Sequence, residues 1–95
     1  MRRGYLYMMA DRYRGAIYTG ATAYITQRVW QHRTGSGSDF CRRYGLNRLV
    51  YVAETELIVD AIAREKQVKM WRREWKIELI EEGNPEWLDL FGSLH

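Results

Sequence analysis

Two tyrosine-centred segments, Tyr5-Leu6-Tyr7 and Tyr18-Thr19-Gly20, precede Arg28 and His32 four positions apart, and a glutamate, Glu65, stands inside a long amphipathic stretch of the second half. Arginine offers a planar fork of N–H donors that matches phosphate oxygens two at a time. A tyrosine hydroxyl, ordinarily titrating at about 10, works as a base only where its surroundings favour the phenolate. Singly, each residue has a plain structural reading. Strand tyrosines pack with a solvated hydroxyl, Arg28 and His32 line a solvated helix face, and Glu65 pairs with Lys69 one turn on. Asn84 before Pro85 reads as a helix cap.

The charge pattern adds a direction. The net charge of +3 conceals an asymmetry. Residues 1–48 carry nine arginines against Asp11 and Asp39, a net +7, whereas residues 49–95 carry six basic against ten acidic residues, a net −4. Twelve of the fifteen basic residues are arginine, and a basic face built from the first half suits a phosphate backbone. Arg42, Arg43 and Arg48 flank the loop Gly35-Ser36-Gly37-Ser38, which reads as flexible enough to adapt to such a backbone, and Lys66 and Lys69 extend the basic groups along the later helix. Trp71 and Trp75 read as core rather than as stacking groups.

Length and composition bound the alternatives. Ninety-five residues, 46% hydrophobic and 28% charged, are expected to form one soluble domain over 1–95, with no appended recognition domain. The uncharged stretch Ala16–Gln27 contains Thr and Tyr and falls short of the roughly 20 apolar residues of a membrane span. The N-terminal segment is too short and polar for a signal-peptide core, so a cytoplasmic location without membrane contact is expected. A lone cysteine, Cys41, excludes an internal disulfide and a multi-thiolate zinc site; it reads as a small buried apolar residue.

These residues need elements to position them. Gly4–Met9 and Gly15–Gly20 read as antiparallel strands joined by a polar connection ending in Gly15. Ile25, Val29 and Trp30 recur at helical spacing until Gly35, and Ser38 caps a brief helix that Gly45 ends. Leu49–Ala53 is a compact apolar run, predicted to be a third strand buried on both faces. A long helix from near Glu56 carries Leu57, Ile58, Ala61, Ile62, Glu65, Val68, Lys69 and Trp71. A further helix closes at Gly83, and another starts at Asn84-Pro85, carrying Trp87, Leu88, Leu90 and Phe91. The order β-β-α-(α)-β-α-α-α predicts an α+β sandwich.

With the elements in place, the ensemble resembles the GIY-YIG nuclease superfamily, and its small stand-alone members in particular. Tyr5-Leu6-Tyr7, Tyr18-Thr19-Gly20, Arg28-Val29-Trp30-Gln31-His32 and Ala63-Arg64-Glu65-Lys66-Gln67 carry the resemblance, which runs from about Gly4 to Leu90. It implies a three-stranded antiparallel sheet flanked by helices and a metal-dependent endonuclease. Tyr7 would act as, or assist, the base for a water nucleophile, and Tyr18 would line the same site. Gly20 would let backbone approach closely, Arg28 would contact the scissile phosphate, and Glu65 would be the single ligand of Mg²⁺ or Mn²⁺. His32 and Asn84 match auxiliary polar positions. Tyr7 would either lose its proton under Arg28 and the metal or relay it through His32.

Two departures stand out. Thr19 replaces the family's Ile on the strand face opposite Tyr18, and Tyr24 precedes the helix where a small capping residue is usual, leaving Thr22 or Thr26 to supply the cap. The implied partner is DNA, structured, branched, nicked or single-stranded, with specificity left to the basic half, a homodimer or a protein partner. The competing readings are a non-catalytic nucleic-acid module of the same fold and an adaptor that docks a partner through exposed C-terminal tryptophans such as Trp87.

Overall fold

The computed structural model describes residues 2–94. Its centre is the first strand, β1 (Gly4–Ala10), which pairs antiparallel with β2 (Ile17–Thr22) on one side and β3 (Arg48–Thr55) on the other. The hairpin between β1 and β2 is closed by Asp11, whose Oδ1 accepts from the Ala16 N–H at 2.8 Å. The three-stranded antiparallel sheet and its flanking helices follow in the expected order, an α+β fold.

Alternation along β1 builds two cores. Leu6, Met8 and Ala10 face one side with Val50, Val68, Ile80 and Trp87, and Tyr7 and Met9 face the other with Ile25, Val29, Cys41, Leu46 and Leu49. β1 is therefore the strand buried on both faces. That corrects the expectation for 49–53, since Tyr51, Val52 and Ala53 are only half-buried on the edge strand β3. Pairing shifts register between Met8 and Met9, which face Tyr51 and Leu49, so Val50 is the extra residue of a bulge. The consecutive Leu49 and Val50 enter opposite cores.

The helices begin and end close to their sequence signals. α1 (Ile25–Thr34) ends at Gly35 and α2 (Asp39–Tyr44) at Gly45, both glycines in the left-handed region. Ser38 caps α2 by accepting from the Phe40 N–H. Tyr24 makes no side-chain cap on α1, and Thr22 Oγ1 accepts the N–H of Tyr24 itself at 3.0 Å, so the cap expected from Thr22 is not made. α3 (Ile58–Lys69) packs across β1 and β2 through Ala61 and Val68. It stops before Trp71, which lies outside the helix, and Leu57 and Ile62 of the predicted seam are exposed. α4 (Arg73–Gly83) follows.

No α-helix starts at Asn84. The segment makes a turn at Pro85 and Glu86, runs on without helix, and ends in a single 3₁₀ turn, Phe91–Ser93. Its polar groups are engaged by the bulged edge of β3, which leaves backbone groups to satisfy. Asn84 Nδ2 donates to the Val50 carbonyl at 3.1 Å, the Leu90 N–H donates to the Leu49 carbonyl at 2.7 Å, and the Leu49 N–H donates to Asp89 at 3.1 Å.

Candidate active site

Tyr7 projects from the centre of β1 into the core under α1, where it is 2% exposed. Its Oη lies 2.8 Å from Nε2 of His32 on α1. Tyr18 of β2 completes a cluster of three rings, with centroids 6.2 Å from Tyr7 and 5.2 Å from His32. Antiparallel pairing sets Gly20 directly across from Tyr7, and a Cβ there would stand 2.6 Å from the phenol oxygen.

Glycine is required beside His32 as well. A Cβ on Gly37 would come within 2.6 Å of Nδ1, so the Gly/Ser loop packs tightly against the imidazole as well as linking two helices. The Ser38 N–H donates to His32 Nδ1 at 3.4 Å. With Nδ1 accepting, the ring proton of the neutral imidazole resides on Nε2, which donates to Tyr7 Oη.

Burial and charge set the protonation states. Burial pushes the Tyr7 hydroxyl well above the usual phenol range, with Tyr18 adding to the shift and the Arg28 cation opposing it. Burial, reinforced by Arg28, lowers His32 to about 4, so its ring is neutral at physiological pH. Arg28 itself stands on the exposed side of α1, where it lines a cleft of about 270 Å³ with Thr22, Tyr24, Gln27 and Gln31. Cys41, buried in the same core, is raised to about 11 by burial, so it remains an inert thiol.

Glu65 is linked to this cluster through Lys69. The Lys69 Nζ lies 2.9 Å from Glu65 Oε2 and 5.9 Å from the Tyr18 ring centroid. The i,i+4 pair expected of the helix is thus present, and it stands against the site. Chemically, Glu65 fits a hard divalent cation held by one carboxylate that keeps several of its waters. No group of three His, Cys, Asp or Glu side chains among the described residues could cage such an ion.

Several expected contacts lie elsewhere. Asn84 is buried with its amide committed to the Val50 and Leu88 carbonyls and its Oδ1 to the Leu88 N–H, so its bonds are structural. Arg48 is half-buried and donates from Nη1 to the Trp87 carbonyl at 3.0 Å, which ties β3 to the C-terminal segment. Arg42 pairs with Asp39, whereas Arg28, Arg43 and Lys66 are exposed and take part in none of the ion pairs among the described residues. The charge asymmetry is partly spent within the fold, where Arg3, Arg14 and Arg33 of the first half pair with Glu54, Glu81 and Asp89 of the second.

Trp87, proposed above as a docking residue, is fully buried with its Nε1 donating to Glu81, which removes that anchor from the adaptor reading. Of the tryptophans read as core, Trp71 is half-buried and Trp75 is 48% exposed. The sequence reading did not single out Phe40, which stacks against Tyr18 at 6.3 Å and 30°. Its position two residues beyond Ser38, on the exposed side of a short helix, carried no signal in the sequence.

A three-stranded antiparallel sheet flanked by helices, with a buried Tyr–His pair, a second tyrosine beside it and an exposed arginine on α1, is a nuclease-like fold. The sequence model of the GIY-YIG catalytic domain matches residues 3–78, and the chain belongs to that family. It is 30% identical over 83 residues to a UPF0213 protein of Staphylococcus saprophyticus, covering 87% of this chain and all of that protein. It is 34% identical over 68 residues to a UPF0213 protein of Haloquadratum walsbyi, covering 72% of this chain and 76% of the relative. No solved structure matches the chain. No helix among the described residues is long and apolar enough to cross a membrane.

Proposed function

We propose that this protein is a metal-dependent endonuclease that hydrolyses DNA phosphodiester bonds, with the whole chain serving as one catalytic module. The observation that carries this reading is the 2.8 Å contact between Tyr7 Oη and His32 Nε2, made beside Tyr18 and within the field of Arg28. A buried tyrosine held this way is positioned for proton transfer, which its burial alone opposes.

The residues divide the work. Arg28 binds the phosphate and, as a cation, favours the Tyr7 phenolate. His32 stays neutral and donates from Nε2 to Tyr7 Oη, so of the two routes open to the Tyr7 proton the geometry supports its release to solvent over relay through the imidazole, which leaves Tyr7 as the phenolate. Tyr7 Oη then takes the proton of the attacking water as the water oxygen bonds to phosphorus and the P–O3′ bond breaks, the leaving oxygen being protonated from solvent. Mg²⁺ or Mn²⁺ held by Glu65 would neutralise charge growing on the phosphate oxygens. With such a cation on Glu65, Lys69 would be released from that carboxylate to pair with the phosphate. Arg43 and Lys66 extend the phosphate track.

The test is incubation of plasmid, branched and single-stranded DNA with Mg²⁺ or Mn²⁺, comparing wild type with Tyr7→Phe, Arg28→Ala and Glu65→Ala. The wild type is expected to cut at least one substrate and each variant to lose roughly 100-fold or more. Equal cutting by Glu65→Ala would exclude the metal role. Salt-sensitive binding without any cleavage would favour the non-catalytic module.

A further inference from the structure

Beside the tyrosine cluster, α2 presents an aromatic surface that the mechanism does not use. Phe40 is 43% exposed and Tyr44 54% exposed. Their centroids are 4.9 Å apart, and Phe40 lies 6.3 Å from Tyr18 at a 30° interplanar angle, so the three rings form one continuous ledge leading from the site to solvent. Cations border it. Lys69 and Lys76 line a cleft of about 270 Å³ with Ile17, Tyr18, Thr19 and Phe40, and Arg43 borders the far side with Asp39, Phe40 and Tyr44.

Large exposed rings are costly in water and usually mark a binding surface. The cationic border and the continuity with Tyr18 favour an anionic polymer of flat groups over an apolar protein surface. Inside a duplex each base face is covered by its neighbours, so exposed rings can stack only on bases that are out of the helix. We propose that Phe40 and Tyr44 form a base-stacking ledge that receives unpaired nucleotides next to the phosphate at Tyr7, making single-stranded nucleic acid the preferred bound form. This rests on the reading that the substrate is nucleic acid, and it adds the strand state and the two residues that select it.

Binding is measured by fluorescence anisotropy in EDTA with a labelled oligothymidylate of about 12 nucleotides, within the site size of a single small domain, and with an abasic oligonucleotide of equal length. Wild type is expected to bind the thymidylate roughly tenfold or more tightly than the abasic strand. Phe40→Ala/Tyr44→Ala removes that preference while leaving abasic binding and the circular dichroism spectrum unchanged. Phe40→Leu/Tyr44→Leu, which keeps apolar bulk without a flat ring, serves if the alanine variant fails to fold. Equal wild-type affinity for both strands, or a preference that survives in either double variant, would overturn the ledge. So would a dimer that dissociates in the double variant with oligonucleotide binding unchanged, since a second copy of the chain would then cover the rings. Cleavage assayed with Mn²⁺ on the same preparations separates the two readings. A wild type with the base preference but no cleavage keeps the ledge and removes the nuclease mechanism; cleavage without the preference does the reverse.

Discussion

The hydroxyl end of Tyr7 lies against the backbone of Gly20, so closely that a Cβ on Gly20 would stand 2.6 Å from both Cζ and Oη of the phenol. The two residues are direct partners across the β1–β2 ladder, and no side chain larger than hydrogen leaves room for the ring in its place beside His32. Gly20→Ala is therefore expected to push Tyr7 off His32, costing about 1–3 kcal/mol of stability through overpacking. In nicking assays it should reduce the rate tenfold or more. A Gly20→Ala protein that nicks DNA at the wild-type rate would show that Tyr7 needs no fixed position.

His32 makes stability depend on pH. Its folded pKa of about 4 lies below the ordinary 6.5, so between these values the unfolded chain binds the extra proton. The stabilisation is fully present above pH 6.5 and is lost as pH falls toward 4, by on the order of 3 kcal/mol. Urea titrations of wild type and His32→Gln across this range check it. The wild-type midpoint should fall with acidification more steeply than the variant's, and parallel curves would contradict the assignment.

Thr19 carries a fault the fold tolerates. It is 4% exposed and its Oγ1 has no hydrogen-bond partner among the described residues. Thr19→Val keeps the shape and removes the unpaired hydroxyl, which should stabilise the protein by about 1–2 kcal/mol. Thermal unfolding reads this directly as a raised midpoint; a lowered one would mean that the hydroxyl is satisfied in solution.

Asn84 distinguishes a structural from a catalytic role. Three of its hydrogen bonds tie the C-terminal segment to itself and to β3. Asn84→Ala is expected to cost about 2–4 kcal/mol by stranding buried backbone groups. The nicking rate per folded molecule should stay within about twofold of wild type, because the residue touches none of the reacting groups. A stable variant with abolished cleavage would restore it to the chemistry.

Much of this was legible in the sequence because the signals are local. The glycines after α1 and α2 and the serine before α2 mark real ends, and the seam through Ala61 and Val68 is the buried side of α3. The spaced tyrosines, the Arg28–His32 pair and Glu65 lie on the predicted elements. Among the features that the structure places differently, three turn on partners distant in the chain. The apolar run at 49–53 is an edge, because the burial of a strand depends on which strands flank it. Asn84-Pro85 has the composition of a helix start, yet the bulge at Val50 offers its polar groups better partners. Arg48 resembles any surface arginine until the Trp87 carbonyl is brought to it from 39 residues away.

By itself, then, the sequence determined most of the elements, the family and the candidate residues of the proposed site, since these follow from residue type and near-neighbour spacing. Only the tertiary structure decided that Tyr7 is held by His32 and Gly20, that Lys69 joins Glu65 to Tyr18, and that Phe40 stacks against Tyr18. Those contacts join residues far apart in the chain, and their geometry follows from strand register and packing, which no local pattern encodes.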